Sequence, residues 1–257
     1  MNSLRYKILI FLFFASLIHS QSYNFKRLGD ETVEFIKSPL NWNGNDFLKF
    51  GLITSAGLGM FFIDEDVKQF SQTKIPSEFY IPSEIGRIWG EPYFSACLSA
   101  VFLIHASVVK NEANKKLGFE IAQTFAYSIL TIGVIKISLG RERPRISDDA
   151  WNFNPFNSFE DNYFSMPSGH NALAFSLSSV LSNSFQSDVM KVLSFVPAAF
   201  TFFSRIYQNH HWISDAFIGG AIGYFIGQFV VNLHKFDDNS QKLVPENTPL
   251  FSINFAL

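Results

Sequence analysis

Arg205, His210, His211 and Asp215 crowd into residues 204–220, at the junction of two apolar runs where a membrane-type sequence avoids charge. His211 and Asp215 stand four residues apart. On a helix the carboxylate can then accept a hydrogen bond from one imidazole nitrogen, fixing the tautomer and leaving the other nitrogen free. By itself such a pair is a common surface feature worth little. Two other junctions collect polar residues. In KISLGRERPR, Lys136 and Arg143 lie seven apart, two turns along one helix face, and Pro144 disfavours helix at the residue before it. Taken alone, these cations read as side chains snorkelling to an interface. In SMPSGH, Pro167, Ser168 and Gly169 turn into a helix N-terminus, where unpaired N–H groups and the dipole favour an anion. Ser168 reads equally as an N-cap, and His170 as a first-turn residue facing water.

The order of these junctions gives them weight. Basic residues close one helix, a histidine opens the next, an arginine closes another and a His/Asp pair opens the last, so the four ends would meet on one side of a bundle. They supply three cations, a hydroxyl, backbone donors and two imidazoles. That set suits phosphoryl transfer without a metal: the cations compensate charge, one imidazole attacks phosphorus and the other protonates the leaving oxygen. Carboxylate clusters of the kind that hold Mg²⁺ or Zn²⁺ are absent from the junctions, so neither metal nor cofactor is expected.

The pattern K-x6-R-P, P-S-G-H, S-R-x5-H-x3-D resembles the type 2 phosphatidic acid phosphatase superfamily, which also holds the vanadium haloperoxidases. It is met at Lys136, Arg143 and Pro144, at Pro167, Ser168, Gly169 and His170, and at Ser204, Arg205, His211 and Asp215. The resemblance covers about residues 50–231. It implies that Lys136, Arg143 and Arg205 hold phosphate oxygens with Ser168 and the Gly169 N–H. It further implies that His211 is the nucleophile, Asp215 its orienter, and His170 the acid that releases the alcohol and then activates water. The motif spacing selects His211 over His210, which is expected to face elsewhere. Arg141 and Arg145 read as solvated loop residues, with contact to a head group as the alternative.

The elements that must position these groups are six apolar blocks, at residues 50–63, 93–109, 121–135, 172–185, 192–203 and 216–231. No alternating strands or fixed repeat accompany them, so the expected fold is all-α, a six-helix bundle embedded in or associated with a membrane. Composition agrees: 47% of residues are hydrophobic, only 16% are charged, and 31 are phenylalanine, which leans toward lipid contact. A net charge of −2 gives no field for nucleic acid, and the single Cys97 allows no intrachain disulfide.

Residues 1–20 have the layout of a signal peptide, with an N-terminal anchor as the alternative. Residues 21–45 form a polar N-terminal extension without a strong period, residues 46–236 the helical phosphatase domain, and residues 237–257 a tail whose LFSINFAL end could be a strand or pack on the body. Gly219, Gly223 and Gly227 recur every fourth position. That spacing fits either a close crossing inside the bundle or a homodimer. Lys110, Lys115, Lys116, Lys191 and Lys235 mark loops expected to be cytoplasmic, which puts the motif loops outside. An exported leader conflicts with three full crossings before the first motif loop. Either residues 50–63 do not cross, or the whole bundle is exported and peripheral.

The expected activity is metal-independent hydrolysis of a lipid phosphomonoester or diphosphate through a phosphohistidine, in the cell envelope with the site facing the periplasm. The competing readings are a broad-range acid phosphatase acting on soluble phosphomonoesters and a vanadium-dependent haloperoxidase.

Overall fold

The computed structural model describes Tyr23 and residues 25–156 and 160–240. The leader and the LFSINFAL segment lie outside the described residues. Ten α-helices follow one another: α1 (Phe25–Lys37), α2 (Gly44–Phe61), α3 (Asp64–Thr73), α4 (Tyr80–Trp89), α5 (Pro92–Val109), α6 (Glu112–Leu139), α7 (Gly169–Ser184), α8 (Asp188–Leu193), α9 (Val196–Tyr207) and α10 (Ile213–Ser240). The fold is all-α. Among the described residues the only pairing of extended backbone is an isolated bridge between Arg141 and Phe153.

Local chemistry sets the helix ends. Asn43 opens α2 with a capping box, its side chain accepting from the Asn45 and Asp46 amides while the Asp46 carboxylate accepts from the Asn43 amide. Pro92 stands in the first turn of α5, where its missing N–H costs nothing. Gly140 ends α6 in the left-handed region, φ 58°, and a β-carbon there would lie 2.1 Å from the Asn154 carbonyl oxygen. Only glycine satisfies both demands.

The six apolar blocks fall on α2, α5, α6, α7, α8 with α9, and α10. Among the described residues four segments are long and apolar enough to cross a membrane: Pro92–Val109, Glu112–Leu139, Asp188–Tyr207 and Ile213–Lys235. Helices α2 and α3 make a fifth as a pair bent by 57°. Large apolar side chains such as Leu52, Leu58, Val101, Val108 and Val134 stand exposed, as a lipid-facing surface requires.

Helix α7 occupies the centre, packed on α6, α9 and α10. The glycine stripe of α10 is what lets α7 come close. A β-carbon on Gly219 would lie 2.3 Å from the Ser168 carbonyl oxygen, and one on Gly223 2.0 Å from that of Ala172. The stripe therefore faces α7 of the same chain. At the end of the bundle away from the motifs, Lys235 of α10 donates to Asn183 of α7 at 2.9 Å.

Helix α1 docks at that same end, and the expectation of an extension without strong period is corrected there. Leu28, Thr32 and Phe35 recur at helical spacing, but the buried side of α1 is mixed, which blurs the apolar signal. Phe35 stacks on Tyr127 at 4.3 Å, whereas Glu31 reaches the fully buried His234 at 3.3 Å. Glu120 meets the other nitrogen of His234 at 3.1 Å, and Gln123 donates to Glu31 at 2.8 Å. The last helix also runs to Ser240, four residues past the expected domain end.

Candidate active site

The C-termini of α6 and α9 and the N-termini of α7 and α10 converge, as the order of motifs requires. Lys136, Arg143, Gly169, His170 and His211 line one cavity of about 310 Å³, shared with Pro92, Ile129, Ile132 and Leu173. Arg205, Ser168 and Asp215 are buried and do not line that cavity. Lys136 stands at the end of α6 with its ammonium on the carbonyl oxygens of Phe164 and Ser165. Arg143 donates through Nε to the Asp161 carbonyl oxygen at 2.8 Å, through Nη2 to the Asp161 carboxylate at 2.7 Å and through Nη1 to the His210 carbonyl oxygen at 3.0 Å. Its guanidinium is thereby fixed with Nη1 3.4 Å from Nε2 of His211. Burial pushes the Asp161 carboxyl up, but Arg143 and Arg145 outweigh it and leave the pKa lowered.

Nδ1 of His211 faces Asp215 Oδ2 at 3.8 Å and has no hydrogen-bond partner, so the expected orienting bond is a contact, not a formed bond. Asp215 is instead held by three donors: Arg141 Nη1 at 2.6 Å, Ser165 Oγ at 2.5 Å and the Trp212 amide at 3.0 Å. Burial holds the His211 imidazole well below its usual pKa, against the pull of Asp215, and Arg143 depresses it further. The ring is thus neutral at neutral pH, with Nε2 toward the cavity.

Arg141 corrects the expectation of a solvated loop residue. It is completely buried, donating to Asp215, to Ser214 Oγ at 2.7 Å, to Asp64 Oδ2 at 2.7 Å and twice to the Ala150 carbonyl oxygen. Its guanidinium lies 4.2 Å from the Phe61 ring centre. Asp64, at the start of α3, also accepts from the Ser214 amide at 2.9 Å. The sequence carries little signal for this cluster, because Asp64 and Arg141 are 77 residues apart. Arg145, read as a solvated loop residue, is exposed and donates to Asp161 and Asn162.

Ser168 caps α7, its hydroxyl accepting from the Asn171 amide at 3.4 Å, while its own amide donates to the Asp215 carbonyl oxygen at 2.9 Å. Arg205 donates to Ser204 and Gln208, and its buried Nε has no partner. His210 lines a different, more polar cavity of about 450 Å³ with Glu84, Tyr207 and Gln208. Burial, then Arg205 and Arg143, lowers its pKa to about 4.

Residues 118–238 match the family model described as PAP2 superfamily. That stretch of the chain is similar to the PAP2 superfamily. A stretch of 66 residues is 39% identical to the lipid A 1-phosphatase of Porphyromonas gingivalis, covering 25% of this chain and 15% of that protein. The crystal structure of Aquifex aeolicus LpxE matches with a TM-score of 0.48 and 23% identity, over 66% of this chain and 95% of that one. Within the matched family region lie Lys136, Arg143, Ser168, Gly169, His170, Arg205, His211 and Asp215. Asp64 and Glu84, on α3 and α4, lie before it.

Proposed function

We propose that this protein hydrolyses a phosphomonoester or diphosphate carried by a lipid, through a phosphohistidine on His211 and without a metal ion. The observation that carries the reading is the composition of one cavity: Lys136, Arg143, His170 and His211 share its walls with Pro92, Ile129, Ile132 and Leu173. Phosphate-binding charge and apolar surface occupy the same space, which suits a phosphate at the end of a hydrocarbon-bearing molecule. The partial identity to a lipid A 1-phosphatase supports a lipid phosphate as the substrate class.

The chemistry follows from the placements. Lys136, Arg143 and the unpartnered Arg205 Nε neutralise the phosphoryl oxygens, supplying the charge that Mg²⁺ would otherwise bring. Nε2 of His211 attacks phosphorus, the bond from phosphorus to the ester oxygen breaks, and His170 gives that oxygen its proton. Water then attacks phosphorus while His170 takes its proton, the N–P bond breaks and phosphate leaves. The site end of the bundle faces the periplasm.

Phosphate release from lipid and soluble phosphates, in detergent with excess EDTA, tests the proposal. The lipid esters should turn over with chelator present, and orthovanadate should compete with substrate. Activity lost to EDTA and restored by Mg²⁺ or Zn²⁺ would overturn the metal-free mechanism. Preference for soluble esters would make the protein a broad-range phosphatase, and vanadate-dependent halide oxidation a haloperoxidase.

A further inference from the structure

Beside His170, the wall of the site is built by the turn between α4 and α5, which no motif includes. Gly90 brings this turn close, since a β-carbon there would lie 2.5 Å from the His170 carbonyl oxygen and 2.7 Å from Thr201 Cγ2. Glu91 follows, its side chain only 13% exposed, with Oε1 3.4 Å from Nε2 of His170. The same oxygen is paired with Arg87 Nη1. Arg87 Nε donates to Glu84 at 3.1 Å, Glu84 accepts from Gln208 Nε2 at 2.5 Å, and Gln208 Oε1 accepts from Arg205. One string of polar contacts therefore joins His170 to Arg205 through α4 and the turn that follows it.

The charges around His170 make Glu91 distinctive. Arg205 comes from α9, Arg143 from the loop after α6 and His210 from the turn before α10, while Lys136 and His211 share its cavity. Glu91 is the anion in contact with the ring.

We propose that Glu91 is a positioning residue for the general acid: its carboxylate, pinned by Arg87, holds the His170 imidazole and offsets the surrounding cations, favouring the imidazolium that protonates the leaving oxygen. This role rests on the phosphatase reading above. Burial first, then Arg205 and Arg143, lowers the His170 pKa while Glu91 opposes them, so the carboxylate acts where an acid would otherwise be lost.

The test compares wild type, Glu91→Gln and Glu91→Asp as full chains in detergent. It uses pH profiles of kcat/KM on an alkyl phosphate and on p-nitrophenyl phosphate, with ¹⁵N-imidazole titration of His170 assigned through His170→Asn. Removing a general acid outright costs ~10²–10⁴-fold. Glu91→Gln should therefore lose about 10- to 100-fold on the alkyl ester and far less on the aryl ester, whose leaving group needs little protonation. The His170 titration and the basic limb should move about one pH unit toward acid. Glu91→Asp should recover part of each. Equal losses on both esters with an unmoved limb and titration would make Glu91 a structural brace and overturn the proposal, as would no loss at all. If wild type hydrolyses neither ester, the phosphatase reading fails by itself, and the His170 titration still decides whether Glu91 supports the imidazolium. Should Glu91→Gln not fold, Glu91→Asp carries the same decision, because withdrawing the carboxylate by one methylene weakens the contact in the same direction.

Discussion

Removing one partner of a buried ion pair strands the other charge, at about 3–5 kcal/mol, and removing Arg141 would strand both Asp64 and Asp215. Arg141→Ala is expected to lower the thermal midpoint in detergent sharply. Arg145→Ala, at a partly exposed pair, should cost less than about 1 kcal/mol. An unchanged midpoint in Arg141→Ala would mean that the cluster does not hold the loop to α10. The three histidines at the motif end make a pH-dependent contribution of one sign. His170, His210 and His211 all have folded pKa values below the 6.5 of a free imidazole, with burial as the first cause. The unfolded chain therefore binds more protons below that value. Their contribution to stability is complete above pH 6.5 and declines as pH falls toward the folded values, about 4 for His210. Melting curves from pH 7.5 to 5 should lose less stability toward acid for His210→Asn than for wild type, because the depressed imidazole is gone. The two imidazoles at the cavity separate by chemistry. His211→Ala should leave no phosphoenzyme with any substrate, whereas His170→Ala should accumulate ³²P at His211 from p-nitrophenyl phosphate in rapid-quench labelling. Label on His210 would reverse the assignment.

Between residues and fold stands the crossing of α7 and α10, which sets where His170 and His211 meet. Gly223→Ala places a methyl 2.0 Å from a backbone oxygen that no rotamer change can move. The helices must part, at a cost of about 1–3 kcal/mol or more, and kcat should fall with stability. Gly51→Ala is the control, because nothing lies within 4 Å of the added carbon. There the better helix propensity should stabilise by about 0.5–1 kcal/mol. Equal effects of the two substitutions would mean that the crossing does not depend on close approach. What the sequence revealed at this scale follows from the same physics. Long apolar blocks ending in motif residues fix both the helices and the order of their ends, so the gathering of Lys136, Arg143, His170 and His211 at one cavity was legible from the order of the junctions. The supports were not. Asp64 and Glu91 come from short helices and a turn whose contacts depend on tertiary placement, and Arg141 looks like any loop arginine until Asp64 is folded onto it. The clasp of Glu31 and Glu120 on His234 escaped for the same reason, since polar groups buried at a helix interface leave no apolar period.

For the whole molecule, orientation across the membrane is the property with the widest consequences, and the fold sharpens how it can be measured. Glu31 of α1 meets His234 near the end of α10, whereas Asp64 at the start of α3 meets Arg141 at the site. Helix α2 thus carries the chain from the lysine-bearing end of the bundle to the site end. Arg27 of α1, over the ring of Tyr23 that packs on Phe119 and His234, joins Lys110, Lys115, Lys116, Lys191 and Lys235 toward that far end. At the site end Arg141, Arg143 and Arg205 are buried in the site, and the cations Arg145 and Lys68, near the loops there, are each paired with a carboxylate. Loop charge therefore favours the site outside. For a spanning bundle this also puts α1 inside, so an exported leader and the lysine rule cannot both hold. Cysteine labelling in a Cys97→Ser background separates them, using fully exposed Asp148 for the site end, Glu112 for the far end and exposed Lys37 for α1. With a membrane-impermeant maleimide on cells whose outer barrier alone is opened, Asp148→Cys should label while Glu112→Cys and Lys37→Cys stay protected until the inner membrane is lysed. Labelling at all three positions would identify a fully exported bundle resting on the membrane. Protection of Asp148→Cys with labelling of Glu112→Cys would invert the protein and put the phosphate chemistry on the cytoplasmic face.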